Sequence, residues 1–282
     1  MFNTASISEF LHDAKDYGFD VTVNSFSWEK IKESRDAYVK RLNGIYEQNL
    51  NKDNVEWIKG AAKFVSKNTI EVDGKQYTAK HILIAAGSRP TQPTFEGNEL
   101  TINSDGFFDL TALPTNVAVV GGGYIAVELA GVFRALGSNV TIVIRAPHVL
   151  RTFDNTIQEV LMEEMRNVGV QFKTEAHVTK VVKESNGKLT LHTDTQGQID
   201  NLDVVLTALG RTPNTDLLNI GVTGINADKN NHIKVDEYQN TGVEGLYALG
   251  DICGKAELTP GLLLFYHFFF FLLFLPTPIF SE

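Results

Sequence analysis

The chain has 282 residues, 43% of them hydrophobic, enough for one large domain or two modest ones around a buried core. Its formal net charge of -9 argues against general nucleic-acid binding, which needs clustered Lys and Arg. The only cysteine, Cys253, cannot close an internal disulfide, and no Cys/His cluster has zinc spacing; this usage fits a reducing compartment, the cytoplasm first and the mitochondrion as the alternative.

The N-terminus, MFNTASISEFLHDAKDYGF, has no basic region leading into an apolar stretch and so does not read as a secretory signal. It opens within an amphipathic helical pattern carried by Ile7, Phe10 and Leu11. Ser27 is placed to cap a second helix, whose apolar positions Trp28, Ile31, Tyr38, Leu42 and Ile45 follow helical spacing. Short strands are predicted at 55–58, 69–72 and 76–79, the last two separated by the turn pair Asp73-Gly74. Ile82 to Ala85 form a continuous apolar strand ending in Ala86-Gly87, followed by a loop with Pro90 and Pro93.

Residues 117–144 are the most legible part. Val117 to Val120 read as a buried strand, Gly121-Gly122-Gly123 as a tight turn and 124–136 as a helix. Gly137 suits the C-terminal cap, and Val140 to Ile144 make a second strand. Both strands are apolar throughout, as in a parallel sheet covered on two faces. A helix near 155–167 and alternating strands to about 206 complete an α/β domain.

Gly121-x-Gly123-x-x-Ala126 follows a strand and opens a helix. The first Gly permits a sharp turn, the second lets backbone N–H groups approach a pyrophosphate, and Ala126 allows close helix–strand packing. The helix N-terminus adds positive potential. Sites that bind NAD place an acid near the end of the second strand for the ribose hydroxyls. Here that region reads Ile144-Arg145-Ala146-Pro147-His148-Val149-Leu150-Arg151, with no acid. Arg145 and Arg151 are suited to gripping a 2′-phosphate, so the expected cofactor is NADPH.

At this point the residues resemble a known family. VAVVGGGYIAVELAGVFRALGS, VIRAPHVLRTFD, LTALGRTPN, VDEYQNTGVEGLYALGDICGKAELTP and HILIAAGSRP are similar to the glutathione reductases, which are pyridine nucleotide–disulfide oxidoreductases. RDAYVKRLNGIYEQNL resembles the glutathione-specific members in particular, and the likeness runs from Met1 to about Pro260. One departure is Ala86, where the family has Thr.

The resemblance implies an α/β fold: a whole NADPH-binding Rossmann-like domain flanked by incomplete parts of an FAD-binding Rossmann-like domain. Residues 1–86 would be the first FAD segment, 87–213 the NADPH domain, 214–260 the FAD return segment and 261–282 a non-family tail. It implies that Tyr124 covers the flavin until nicotinamide displaces it and that Glu128 pairs with a lysine beside the flavin. Gly122, Ile125, Glu128, Gly210 and Glu257 would serve NADPH, with Arg211 in the same cleft. Ala62, Gly87, Asp251 and Thr259 would serve FAD, Asp251 through the ribityl chain, and Tyr46 would contact glutathione disulfide. Each has a plainer reading: Tyr124 and Tyr46 as packing aromatics, Glu128 as a solvated helix acid, Asp251 as a turn or helix cap.

In the family a C-x-x-x-x-C pair, a first GxGxxG turn for the ADP part of FAD, and an interface domain with a His–Glu pair acting across a homodimer lie outside the matched segment. Thiol–disulfide exchange needs an attacking thiolate and a resolving partner. The chain is therefore expected to be inactive toward glutathione disulfide by itself and to bind FAD weakly or not at all, while NADPH binding survives. Cys253, in a flavin-side turn, reads as a buried inert thiol.

Residues 262–275 read LLLFYHFFFFLLFL. That run falls short of the ~20 apolar residues a membrane span needs, and a helix apolar on every face needs partners on all sides. The Phe, Leu, Pro and Ser composition best fits a translated pyrimidine tract, as from a retained intron. The functional readings are thus a fragment of an NADPH-dependent glutathione-disulfide reductase, with a related reductase of thioredoxin or trypanothione type as its variant, a cysteine-free NADPH-binding module, and a membrane-associated protein acting through its tail; the first is favoured.

Overall fold

A computed structural model describes residues 1–255. In chain order its helices and strands are α1 (Phe2–Asp13), α2 (Trp28–Lys52), β1 (Lys63–Ser66), β2 (Thr69–Val72), β3 (Lys75–Thr78), β4 (Ile82–Ile84), β5 (Ser88–Pro90), α3 (Ser104–Asp109), β6 (Asn116–Val120), α4 (Tyr124–Ala135), β7 (Asn139–Val143), α5 (Asn155–Asn167), β8 (Gln171–Lys173), β9 (Val178–Lys183), β10 (Leu189–Thr193), β11 (Gln198–Leu202), β12 (Val204–Thr207), β13 (Arg211–Pro213) and β14 (Leu246–Ala248). They form two compact units, one of Met1–Val55 with Pro90–Gly210, the other of Glu56–Arg89 with the described residues from Arg211.

The first unit is built on a four-stranded parallel sheet in the order β12-β6-β7-β8. Side chains alternate across a strand. Val117 and Val119 of β6, with Val140 and Ile142 of β7, meet Ala126, Leu129, Ala130 and Phe133 of α4 on one face. Ala118 and Val120, with Val143 and Val205, meet Val181, Leu189 and Leu191 on the other. The second cover is an antiparallel sheet, β11-β10-β9, rather than helices. Both faces of the parallel sheet are therefore covered, which is why its central strands β6 and β7 are apolar at most positions. Gly137, at φ +108, ends α4 as the sequence indicates, its N–H bonding Arg134 O while Ser138 N–H reaches Phe133 O.

The first 55 residues, expected to side with the FAD segment, group with this unit. Ser27 caps α2 by accepting the Lys30 N–H at 3.2 Å, and Trp28 is the buried residue of that helix. Trp28 stacks on Phe133 at 6.1 Å, meets Phe107 edge-on at 5.7 Å and donates its indole N–H to Leu110 O at 2.8 Å. Trp28→Phe keeps most of the apolar area but orphans the Leu110 carbonyl, so a stability loss of about 1–2 kcal/mol is expected in a denaturant titration. An unchanged midpoint would show that the indole bond contributes nothing.

Two sequence expectations fail here for local reasons. In α1 the buried contact is made by Ala5, with Ser8 Oγ donating to Ala135 O of α4 at 2.8 Å. Ile7, Phe10 and Leu11, read as the apolar stripe, are exposed, because the small Ala5–Ser8 side is the one that meets α4. Residues 55–58 form no strand. Asn54 takes a left-handed φ of +54 and the Val55 N–H closes back onto Leu50 O at 2.9 Å, spending the first donor on the helix end.

In the second unit β1, β2 and β3 form an antiparallel meander. Asp73 and Gly74 both take positive φ, +49 and +77, as a two-residue hairpin turn of primed type demands. β4 and β14 pair in parallel, and Phe64, Ile84, Ile225, Ile233, Leu246 and Ile252 fill the core beneath them. Glu257, Thr259 and the tail from 261 lie outside the described residues.

Candidate dinucleotide and flavin-side sites

The glycine turn sits where β6 delivers the chain to α4, at the carboxyl end of the parallel sheet. Ligands of open α/β sheets bind at that end. Gly121 has φ +134, and a Cβ there would lie 2.2 Å from Ala208 O, so only glycine fits. Its N–H is held by Val143 O at 3.0 Å, and Ala208 N–H bonds Val120 O at 2.8 Å, so β6, β7 and β12 fix the turn together. At Gly122 a Cβ would press Ile144 Cγ2 at 3.1 Å. Around Gly123 the space is open. Gly123 is also the N-cap of α4, with no side-chain cap and no acid in the first turn. The N-terminal amides and the positive end of the helix dipole are thus left to an anion. Ala126, fully buried, seats α4 on the sheet. Ile125 packs partly into the core, while Tyr124 and Glu128, one turn apart, lie on an exposed face.

The loop after β7 folds back onto this turn. Leu150 takes φ +52 and its N–H donates to Gly122 O at 2.7 Å, while Val149 is fully buried against the core. Arg145 and Arg151 flank this pinned segment, both exposed. Among the described residues the other six arginines each have a bonding or ring partner: Arg35, Arg89, Arg134 and Arg211 through hydrogen bonds, Arg41 and Arg166 over aromatic rings. Neither Arg145 nor Arg151 has one. Gly210, at φ +105, follows β12 and its carbonyl accepts from Thr91 N–H at 2.9 Å. A polar cleft of about 280 Å³ between Asn116, Asn139, Gln171 and Asn201 lies at the opposite, amino end of β6 and β7, away from the turn.

In the second unit Gly87, at φ +66, turns the chain after β4, and its carbonyl accepts the Asn214 N–H at 3.1 Å. Asp251 lies in a short 3-10 turn, Gly250–Cys253. Its Oδ2 accepts the Ser88 hydroxyl at 2.8 Å and lies 3.8 Å from Arg211 Nε. Ser88 and Asn214, whose side-chain amide donates to Ala86 O at 2.8 Å, were not singled out from the sequence. Their signal there was their place in the quoted segments HILIAAGSRP and LTALGRTPN. Ala62 is half-buried before β1, and Tyr46 is 65% exposed on α2, in the first unit. No contact draws Tyr46 toward the glycine turn among the contacts found for the described residues.

Burial pushes the Cys253 thiol up to about 11, with the nearby Lys255 charge acting in the opposite direction. At pH 8 only about one thiol in a thousand is then ionised. Reaction with a disulfide reagent is expected to be roughly 100-fold slower in the native chain than in urea. Folding keeps this proton, so the linked stability is full below the unfolded thiol range and falls as pH rises toward 11. Cys253→Ala should flatten that decline, and native reactivity equal to the unfolded value would refute the burial.

No helix among the described residues is long and apolar enough to cross a membrane. The family model for pyridine nucleotide-disulphide oxidoreductases matches residues 5–262. Glutathione reductase from Yarrowia lipolytica is 44% identical over 276 residues, covering 92% of this chain and 59% of the relative. Glutathione reductase from Schizosaccharomyces pombe is 44% identical over 269 residues, covering 92% and 58%. Among solved structures, the HOCl-induced flavoprotein disulfide reductase RclA from Escherichia coli superposes with a TM-score of 0.81 at 27% identity, covering 92% of this chain and 59% of that one. The chain thus spans less than two thirds of the length of these relatives.

Proposed function

Because the chain belongs to the pyridine nucleotide-disulphide oxidoreductase family, we propose that it supplies the NADPH-binding unit, and part of the flavin-binding unit, of a reductase acting on glutathione disulfide. The observation that carries this reading is the glycine turn at the end of β6 with two guanidinium groups beyond β7 that have no partner among the described residues. The residues fit the cofactor. A pyrophosphate needs bare backbone at Gly123 and uncapped amides on α4, and a ribose 2′-phosphate needs paired donors with no acid nearby.

NADPH, when bound, supplies a hydride; the chain's part is to hold and orient it. Gly121, Gly122, Gly123, Ile125 and Gly210 would line it, Arg145 and Arg151 would fix the phosphorylated ribose, and Tyr124 and Glu128 would govern access from the helix face. In the second unit Asp251, Gly87 and Ala62 would serve the flavin, while Arg211, which the resemblance puts in the NADPH cleft, hydrogen-bonds Ser88. Glu257 and Thr259, outside the described residues, and Tyr46 for the disulfide substrate belong to the same proposal, as do a homodimeric assembly and a cytoplasmic or mitochondrial setting. With Cys253 as their one cysteine, these 282 residues do not supply the pair of thiols the exchange needs. Equilibrium titration tests the cofactor reading: NADPH should bind at least ~10-fold tighter than NADH, the effect of one to two charge-assisted bonds. Equal affinity would reject it.

A further inference from the structure

Asp251 does not meet Arg211 directly at bonding distance; Ser88 stands between them. Arg211 Nε donates to Ser88 Oγ at 2.7 Å, Arg211 Nη2 donates to the Ser88 carbonyl at 2.7 Å, and Ser88 Oγ donates to Asp251 Oδ2 at 2.8 Å. A hydroxyl carries one proton. With the guanidinium on its acceptor side, Ser88 must give that proton to the carboxylate, so the direction of the chain of bonds is fixed. The side chains of Arg211 and Asp251 retain 22% and 30% exposure, sheltered enough for such bonds to set a rotamer.

A direct Arg–carboxylate fork would occupy both carboxylate oxygens. Interposing the hydroxyl confines the polar side-chain contacts of the carboxylate, among the described residues, to Oδ2. Among the described residues no hydrogen bond reaches Oδ1. We infer that Ser88, backed by Arg211, is a positioning residue that holds the Asp251 carboxylate by one oxygen and presents the other to a hydroxyl of the flavin's ribityl chain. This rests on the flavin-side reading of Asp251. Arg211 then acts through Ser88 and need not touch the cofactor.

The test compares riboflavin with lumiflavin, the same ring bearing a methyl in place of the ribityl chain, by flavin fluorescence quenching on the 282-residue chain. Wild type should prefer riboflavin. Ser88→Ala should cut that preference by about 5- to 10-fold, the worth of one lost hydrogen bond to a charged group. It should leave lumiflavin affinity unchanged, and Ser88→Thr should keep the preference. A merely structural role for Ser88 would move both flavins together. If wild type prefers riboflavin and Ser88→Ala prefers it equally, the positioning role is overturned and the flavin reading stands. If wild type shows no preference, the flavin reading of Asp251 falls, and the positioning role with it.

Discussion

Gly121→Ala is expected to destabilise the first unit by about 3–5 kcal/mol, lowering its melting temperature by roughly 6–15 °C. Two causes act together. The backbone at φ +134 is one that side-chain-bearing residues rarely adopt, and the added Cβ would stand 2.2 Å from Ala208 O. That oxygen belongs to backbone whose own N–H is bonded to Val120 O, so it cannot retreat without parting β12 from β6. Gly123→Ala makes the informative pair. Gly123 has φ -82, and its Cβ would meet nothing within 4 Å. Its melting temperature should stay within about 2 °C of wild type. Its NADPH affinity should nevertheless fall by ~10-fold or more, because the new methyl fills the approach to the helix amides. Melting curves and NADPH titrations on both variants separate the roles; unchanged affinity in Gly123→Ala would mean that no pyrophosphate lies there.

Replacing both Arg145 and Arg151 with Ala is expected to weaken NADPH by about 100-fold and NADH by less than about twofold. Among the described residues neither side chain has a partner to lose, so the variant's stability should be unaffected, as is usual for surface substitutions. Lys at either position should recover only part of the loss, since an ammonium lacks the planar fork that meets a phosphate at two points. The affinity difference should also shrink as salt rises, because both groups are exposed. Parallel losses for NADPH and NADH would assign these arginines to general attraction rather than to the 2′-phosphate.

The parts of this molecule legible in the sequence are those fixed by local rules. β6, α4 and β7 announce themselves because apolar runs, a glycine triplet and a C-cap glycine are short-range signals, and the Asp73-Gly74 hairpin is the same kind of feature. What was hidden depends on meetings between distant residues. Which side of α1 is buried was decided by the close fit of Ala5 and Ser8 against α4, not by its most apolar stripe. Trp28 was legible as an apolar helix position, but its partners Phe107, Leu110 and Phe133 lie about 80 to 105 residues away. The Leu150-to-Gly122 bond that aims the arginine loop requires a positive φ at a leucine, which no composition rule suggests. Ser88 and Asp251 are separated by 163 residues, so their bond has no short-range signature at all.

Amide-resolved NMR on the 15N-labelled chain, titrated with NADPH and then NADH, tests the central claim most directly. The account predicts that NADPH shifts the signals of Gly121 to Ala126 and of 145–151, and that NADH leaves the second group largely unmoved. Shifts confined to the amino end of the sheet, around Asn116 and Asn139, with a silent glycine turn would contradict it.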